Sequence, residues 1–348
     1  MSEQNTKTAE QAAQPAEKKT RQPMSKKKKT TILAVAGLAI VGIGVGIASM
    51  TVSQRTMAQT PILEGLNFMC APCGITEAEG GGFLVTDVYG KKIWYSADGR
   101  SSVYAGADSV QDLYGQPLGG YNDAPLATTL FREPWDIEPF LDGYAVSDAA
   151  NGAVRLLRGG NTQTVNGSSD TLEMSDLGVT FSCPTGLTSD PDGNLYVADT
   201  DRGMIIRIDE SGTAEAVVSG LNRPMGIDWK NGALYIAETG ANRIVKAAGG
   251  SVEVVAGSGE DGDADGSALS AGFSGPQGVT VGDDGTVYVG DTVNGSVRKI
   301  KDGQVTTILS PQNRVLTTHP VSPGNLVLSD GHLYVCDPFS RMIYALLP

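Results

Sequence analysis

One pair of markers, a proline followed 14 or 15 positions later by an acidic residue, occurs six times in this sequence. The pairs are Pro72 with Asp87, Pro134 with Asp148, Pro184 with Asp199, Pro224 with Glu238, Pro276 with Asp291 and Pro323 with Asp337. A valine or isoleucine lies two positions before each acid, and another lies six positions after it. Such residues favour strands. The pattern predicts one small sheet per copy, repeated radially and separated by loops of variable length.

Three short motifs carry a resemblance to a known family. They are the P-x-G-Φ opening at Pro184–Leu187, the run Leu195–Thr200 and the N-R-I of Asn242–Ile244. Glycine- and aspartate-rich linkers precede two repeats, at Gly257–Gly278 and, more loosely, at Gly119–Pro134. The chain resembles the NHL-repeat family of six-bladed β-propellers. The resemblance implies an all-β, six-bladed fold over residues 61–348 and leaves the function open, because propellers host lyases, lactonases, receptors and scaffolds alike.

The amino-terminal part has a different composition. Residues 1–30 are polar and include the basic run Lys26–Lys29, so we expect a disordered cytoplasmic tail. Residues 31–50 carry no charge and are long enough for a single transmembrane helix. The basic flank places the amino terminus in the cytoplasm. Residues 51–60 are then a juxtamembrane linker, and secretion after cleavage of a signal peptide is the alternative.

Charge excludes one class of partner. The whole chain has a formal net charge of −13, and residues 1–30 contribute +5, which leaves −18 for the remainder. Nucleic-acid binding depends on Lys and Arg that neutralise phosphates. We therefore expect no nucleic-acid partner for the propeller.

The last repeat lacks a fourth strand, because the chain ends shortly after the third strand of blade six. An uncovered sheet edge tends to pair with another strand. We expect a strand within Pro61–Phe68 to pair with blade six and close the ring.

The four cysteines leave several alternatives. Cys70 and Cys73 form a C-x-x-C, but Pro72 opens a strand and not a helix, which disfavours a reactive dithiol. A structural disulfide involving Cys70, Cys73 or Cys336 is our main expectation for an extracytoplasmic domain. A zinc site that also uses Cys183 is a further alternative.

One ring of inner-strand positions contains the candidate metal ligands. The residues four positions after the six prolines are Thr76, Glu138, Thr188, Asp228, Thr280 and Val327. Glu138 and Asp228 are the candidate ligands for calcium, which binds oxygen atoms. Two histidines in the chain exclude a three-histidine zinc site. We expect no cofactor, with channel calcium as the alternative.

A second ring forms the candidate ligand pocket. The residues directly after the first five prolines are Cys73, Trp135, Thr185, Met225 and Gln277, and we expect them to surround one mouth of the central channel. Aromatic and apolar side chains with a few polar groups are typical of binding pockets. Packing of Trp135 between blades is the alternative.

The repeated acids are interpreted as structural. Asp87, Asp148, Asp199, Glu238, Asp291 and Asp337 each precede a turn. Aspartate at such a position accepts hydrogen bonds from free backbone N–H groups of the turn. Glu238 is one methylene longer, so its turn is expected to depend on Asn242 or Arg243.

Two functions follow from these features. The first is a membrane-anchored scaffold that binds a protein, peptide or glycan at the cell surface. The second is a calcium-dependent enzyme of the lactonase or lyase kind that uses the channel. The sequence contains neither a G-x-S-x-G nucleophile elbow nor a phosphate-binding loop that opens a helix.

The membrane topology is testable on intact cells. Protease added outside should remove the propeller and leave a tag at residue 1 protected, because the basic flank keeps that end in the cytoplasm. Immunoblots of both ends give the result. Protection of both ends would contradict this topology.

Overall fold

The computed structural model describes residues 71–98, 100–165, 181–311 and 322–348. The predicted tail, transmembrane helix, juxtamembrane linker and closing strand lie outside these residues. Among the described residues, no helix is long and apolar enough to cross a membrane.

The strands form six antiparallel sheets, one for each repeat. Blade one contains β1 (Pro72–Glu77), β2 (Phe83–Asp87), β3 (Lys92–Ala97) and β4 (Arg100–Ala105). Blade two contains β5 (Pro134–Phe140), β6 (Gly143–Asp148), β7 (Ala153–Arg158) and β8 (Asn161–Thr164). Blade three contains β9 (Pro184–Ser189), β10 (Leu195–Asp199), β11 (Met204–Ile208) and β12 (Ala214–Ser219).

The other three blades continue the same order. Blade four contains β13 (Pro224–Lys230), β14 (Ala233–Glu238), β15 (Arg243–Ala248) and β16 (Ser251–Ala256). Blade five contains β18 (Pro276–Val281), β19 (Val287–Asp291), β20 (Ser296–Lys301) and β21 (Gln304–Leu309), with the short β17 (Gly266–Ser267) on its outer edge. The described strands of blade six are β22 (Leu326–Ser329), β23 (His332–Asp337) and β24 (Met342–Leu346). One-turn 3₁₀ helices lie at Ala149–Asn151, Thr200–Arg202, Thr239–Ala241 and Ala268–Ser270.

The innermost strands close a ring. Contacts run from β1 through β5, β9, β13 and β18 to β22, and β22 contacts β1 again. A separate buried apolar cluster fills each of the six interfaces between neighbouring blades. The valines and isoleucines on both sides of the repeated acids supply much of these clusters, which accounts for their regular spacing. The all-β six-bladed propeller predicted from the sequence is confirmed.

The glycine of the P-x-G motif is required where two inner strands approach the axis. A Cβ at Gly186 would lie 2.2 Å from the carbonyl oxygen of Met225, and one at Gly278 would lie 2.1 Å from that of Gly324. Both are contacts with the next blade, so these positions exclude any side chain.

The repeated acids hold the loop that leads into each blade. In the first five blades the acid stands opposite the leading proline across the first two strands. Asp199 Oδ1, for example, accepts hydrogen bonds from the N–H groups of Ser182 (3.1 Å) and Cys183 (3.0 Å), just before Pro184. Asp148, Glu238 and Asp291 accept N–H groups at the matching positions.

The predicted donors were therefore wrong for most blades. Within the described residues, Asp337 bonds only to the turn that follows it, through the N–H groups of Phe339 and Ser340. Asp87 bonds both to its turn and to Ala71 before the proline. The physical reason is the strand pairing, which aims the side chain across the sheet toward the incoming loop. The expected substitute at Glu238 is present, since Arg243 Nε donates to Glu238 Oε2 at 2.6 Å.

A second group from the third strand or its turn reaches the acid in most blades. The donors are Trp94 to Asp87, Arg155 to Asp148, Arg202 to Asp199, Arg243 to Glu238 and Arg298 to Asp291. In blade six the matching residue is Tyr344, whose hydroxyl contacts Ser340 and not the acid. Within the described residues, Asp337 Oδ2 is buried with no hydrogen-bond partner.

Arg298 is fully buried and forms an extensive set of these contacts. Its guanidinium donates to Asp291 (2.7 Å), to Asp265 (2.8 Å) and to the carbonyls of Gly272 and Ala264, and it lies over the Phe273 ring. Burial raises the pKa of Asp291, whereas the hydrogen bonds from Asn294, Ser274 and Arg298 lower it. The ionised carboxylate is therefore stabilised by these donors. Arg155 repeats this arrangement in blade two with Asp148, Asp123 and Phe131.

Replacing Arg298 by alanine should lower the free energy of unfolding by about 3–5 kcal/mol, because it leaves the buried Asp291 carboxylate without its cation. Lys246→Ala is the control: Lys246 pairs with the exposed Glu253 at 3.5 Å, and such pairs contribute about 0–1 kcal/mol. Equilibrium denaturation in urea measures both. Equal losses in the two variants would show that the buried pair adds nothing beyond a surface pair.

Candidate functional site

The first candidate ring, formed by the residues after the prolines, closes one end of the channel. Cys73, Trp135, Met225 and Gln277 line a depression of only about 10 Å³. Thr185 is turned away, with its hydroxyl against that of Thr200 at 2.7 Å. A space of this size holds about one water molecule. The predicted ligand pocket at this mouth is therefore wrong: four of its residues come together, but they leave no room for a ligand.

Asp136 and Asn325 explain why this end is closed. They occupy the position that is the P-x-G glycine in the other four blades. Asp136 Oδ1 accepts the side-chain N–H of Asn325 (2.7 Å) and the N–H of Ile137, while Oδ2 accepts the N–H of Leu187 in blade three (2.9 Å). Asp136 thus links blades two, three and six at the axis. The sequence-based interpretation missed it, although its departure from the glycine pattern was a usable signal.

The second candidate ring lines a much larger cavity. All six residues four positions after the prolines lie around a central space of about 660 Å³. Trp229, Tyr288 and Lys230 contribute further to the wall. Asp283 and Asp284 add exposed carboxylates, which pair with Lys230 and Lys301 at 2.6 Å each. The open part of the channel is therefore polar and largely acidic.

The two acids of this ring bridge neighbouring blades. Glu138 Oε1 accepts the N–H (3.0 Å) and the hydroxyl (2.7 Å) of Ser189 in blade three. Asp228 Oδ2 accepts the N–H of Val281 (2.6 Å) and the hydroxyl of Thr280 in blade five. Each carboxylate joins the inner strand of its own blade to that of the next.

Burial changes the acidity of these carboxyl groups. It raises the pKa of Asp136 to about 7, against hydrogen bonds from Leu187, Ile137 and Asn325 that lower it. It raises the pKa of Glu138 to about 8, and the charges of Asp136 and Asp228 add to that rise. It raises the pKa of Asp228 to about 6. The pKa values of all three carboxyl groups therefore lie closer to neutral pH than that of an ordinary carboxyl group.

Calcium does not fit the two predicted ligands well. One oxygen of Glu138 and one of Asp228 already face hydrogen-bond donors, so they are not available to a cation. Calcium takes six to eight oxygen ligands. No group of three or more His, Cys, Asp or Glu residues suited to a metal occurs in the described part of the chain.

The cysteines have separate surroundings. Cys73 is a free thiol at the closed end of the channel. Burial raises its pKa, and the nearby Asp136, Asp87 and Glu133 carboxylates raise it further, which opposes a reactive thiolate. Cys336 is instead packed between blades six and one with Ile75 and Ile343. Cys70 lies outside the described residues.

The six blades around a polar channel define a β-propeller of the repeat type. The model of the teneurin NHL domain matches residues 157–329, and this chain is an NHL-repeat β-propeller. Teneurin-1 of Gallus gallus is 25% identical over 341 residues, which cover 78% of this chain and 12% of that protein. Human NHL-repeat-containing protein 4 is 36% identical over 69 residues, which cover 19% of this chain and 56% of that protein. The chain thus spans a small part of the teneurin that it matches.

Solved structures show the same fold. A streptogramin B lyase has a TM-score of 0.56 and 18% identity, over 83% of this chain and 96% of the lyase. A putative gluconolactonase has a TM-score of 0.55 and 16% identity, over 84% of this chain and 92% of that chain. At sequence identities this low, the similarity indicates a shared fold and says nothing about a shared function.

Stability should fall as pH rises through the neutral range. The folded protein keeps protons on Asp136 and Glu138 up to about pH 7 and 8, whereas the unfolded chain releases them near their model values of 3.8 and 4.5. Between the unfolded and the folded pKa values the unfolded chain holds fewer protons, so each rise in pH there lowers the stability of the folded state. Glu138→Gln keeps an oxygen that can accept the Ser189 donors and should be more stable than wild type at pH 8.5 by on the order of 1 kcal/mol.

Urea denaturation at pH 5.5 and 8.5 measures this difference. Glu253→Gln, at an exposed site, is the control and should keep the wild-type pH profile. A profile of Glu138→Gln parallel to wild type would show that Glu138 is ionised throughout.

Proposed function

We propose that the protein is an extracytoplasmic NHL-repeat propeller, anchored in the cell membrane through residues 31–50, that acts as a binding scaffold for a protein, peptide or glycan ligand. The observation that carries this function is how the channel carboxylates are used. Glu138, Asp228 and Asp136 each accept an N–H group from another blade. They hold the ring together at the place where a propeller enzyme would need groups free to reach its substrate.

Similarity supports the same proposal. The matched teneurin NHL domain model covers residues in blades two to six, and it supports a protein-interaction scaffold. The uncharged run at residues 31–50 and the basic flank before it support a single-pass anchor with the propeller outside. A propeller with a strongly negative balance of charge supports partners other than nucleic acid.

One observation favours an enzyme of the lyase or lactonase kind as the second candidate. The cavity of about 660 Å³ can hold a small molecule, and it contains Glu138 with its pKa raised to about 8. Carboxyl groups with such pKa values serve as general acids or bases in many enzymes.

A double variant, Glu138→Gln with Asp228→Asn, separates the two functions. The full-length protein in detergent should carry no stoichiometric calcium and should not hydrolyse glucono-δ-lactone faster than the double variant does. Peptides and glycans that raise the melting temperature of the wild type should raise that of the double variant equally, since a scaffold uses its outer surface. Calcium or lactone turnover that is present in the wild type and lost in the double variant would establish the enzyme instead.

A further inference from the structure

Two linkers of this propeller share one framework. The first linker, residues 106–133, joins blades one and two, and the second linker, residues 257–275, joins blades four and five. The first linker begins at Gly106, whose N–H donates to the carbonyl of Leu126 at 2.9 Å. The second begins at Gly257, whose N–H donates to the carbonyl of Ala268 at the same distance. Further along, the N–H of Gly120 donates to the carbonyl of Phe131 at 3.1 Å, and the N–H of Gly262 donates to that of Phe273 at 3.2 Å. The two linkers are therefore versions of the same structure.

Equivalent buried arginines fix both linkers. Arg155 bonds to Asp123 in the first linker and Arg298 to Asp265 in the second, each at 2.8 Å. Asp123 also accepts the N–H of Thr164 on β8 at 3.0 Å, and Asp265 accepts that of Thr307 on β21 at 2.9 Å. The base of each linker is thus held in a defined position.

The first linker contains an insertion that the framework does not need. Gly106 and Asp123 are 17 positions apart, whereas the matching Gly257 and Asp265 are 8 apart, which leaves nine extra residues in the first linker. The extra chain forms a small hairpin, residues 109–118, which we call the linker hairpin. Gln111 pairs with Pro117, and Leu118 N donates to Val110 O at 2.9 Å.

The linker hairpin is ordered by its own contacts. Asp112 Oδ1 accepts the N–H groups of Tyr114 (2.8 Å) and Gln116 (2.9 Å), which fixes the turn at the tip. Ser109 Oγ accepts the N–H of Gly119 at 2.9 Å and closes the base. A hairpin that is already folded loses little conformational entropy when it binds a partner.

Apolar side chains of the linker hairpin point into solvent. Leu113 is 101% exposed and Tyr114 is 87% exposed, and Val110 and Leu118 are 76% and 54% exposed. Such a set on one short insertion stabilises nothing inside the protein. Contiguous exposed apolar residues on soluble proteins mark interaction sites.

We propose that the linker hairpin is a docking element that inserts Leu113 and Tyr114 into an apolar pocket of a protein partner whose rim carries Lys and Arg. This proposal rests on the scaffold function and identifies the surface that performs it. Residues 101–131 contain three Asp and no Lys or Arg. Asp108 pairs with Lys92 and Asp123 with Arg155, whereas Asp112 at the tip has no ion-pair partner among the described residues. The chain beyond residue 30 carries a net charge of −18. Opposite charge at the rim of a partner speeds association and selects the orientation.

The same charges argue against two other occupants. An anionic membrane surface repels a domain with this excess of acidic residues. A second copy of this chain presents the same acidic surface, and like charges facing each other across an interface are unfavourable. A protein with a complementary basic rim remains as the occupant that these residues favour.

Selection from a displayed library of random peptides tests the proposal. The full-length protein in detergent is the bait, and the double variant Leu113→Ser, Tyr114→Ser is the counter-selection. Enriched peptides should combine an apolar residue with Lys or Arg. Their affinity should fall at least tenfold for the double variant, because it lacks both anchors, and should weaken as salt is raised from 50 to 500 mM.

The matched control is Leu269→Ser, since Leu269 is 62% exposed in the second linker, which lacks the hairpin. This variant should bind the peptides as the wild type does, and all variants should melt at the same temperature. Peptides that bind wild type and double variant equally would overturn the docking role of the hairpin and leave the scaffold function standing. Failure to enrich any peptide would count against both. Binding to phosphatidylserine vesicles, or a wild-type dimer in sedimentation that the double variant abolishes, would assign the hairpin to a membrane or to a second copy.

Discussion

The buried carboxylate at the end of each second strand is the interaction on which this propeller depends. In the first five blades it lies opposite the proline that opens the blade and binds backbone N–H groups that precede that proline. One side chain therefore fixes the loop leading into the blade, the start of the first strand and the end of the second. Buried carboxylates are costly unless donors surround them. The arginines and the tryptophan that approach from the third strand or its turn supply these donors.

The spacing of prolines and acids predicted the six blades because both residues sit at fixed places in the strand pairing. The branched apolar residues between them predicted the interfaces for the same reason. The direction of the acid side chains was not predictable from local rules. An acid before a turn suggests bonding to that turn, yet strand pairing places the preceding loop closer, as at Asp199. The direction of the side chain is set by pairing between distant segments, which a local sequence pattern does not encode.

The sequence predicted which residues line the channel, but it did not predict how much free space they leave. The second ring surrounds the axis as expected, and so does the first except for Thr185, which turns away. The first ring leaves about 10 Å³ and the second about 660 Å³. The difference comes from Asp136 and Asn325, which replace glycine and fill the axis at one end. A ring of residues read from the sequence gives the order around the axis, whereas the free space depends on where each side chain turns. The linker hairpin could not be predicted for another reason, since the two linkers match in their hydrogen bonds and not in a continuous sequence pattern.

The seam between blades six and one differs from every other joint of the ring. Its described apolar cluster holds four buried residues, Ile75, Val85, Cys336 and Ile343, whereas each of the other described clusters holds at least eight. The acid of blade six also has a buried oxygen without a donor among the described residues. Among the described residues, this seam therefore buries fewer apolar side chains than any other joint between blades. The expected closing strand within Pro61–Phe68 would add its side chains to this joint.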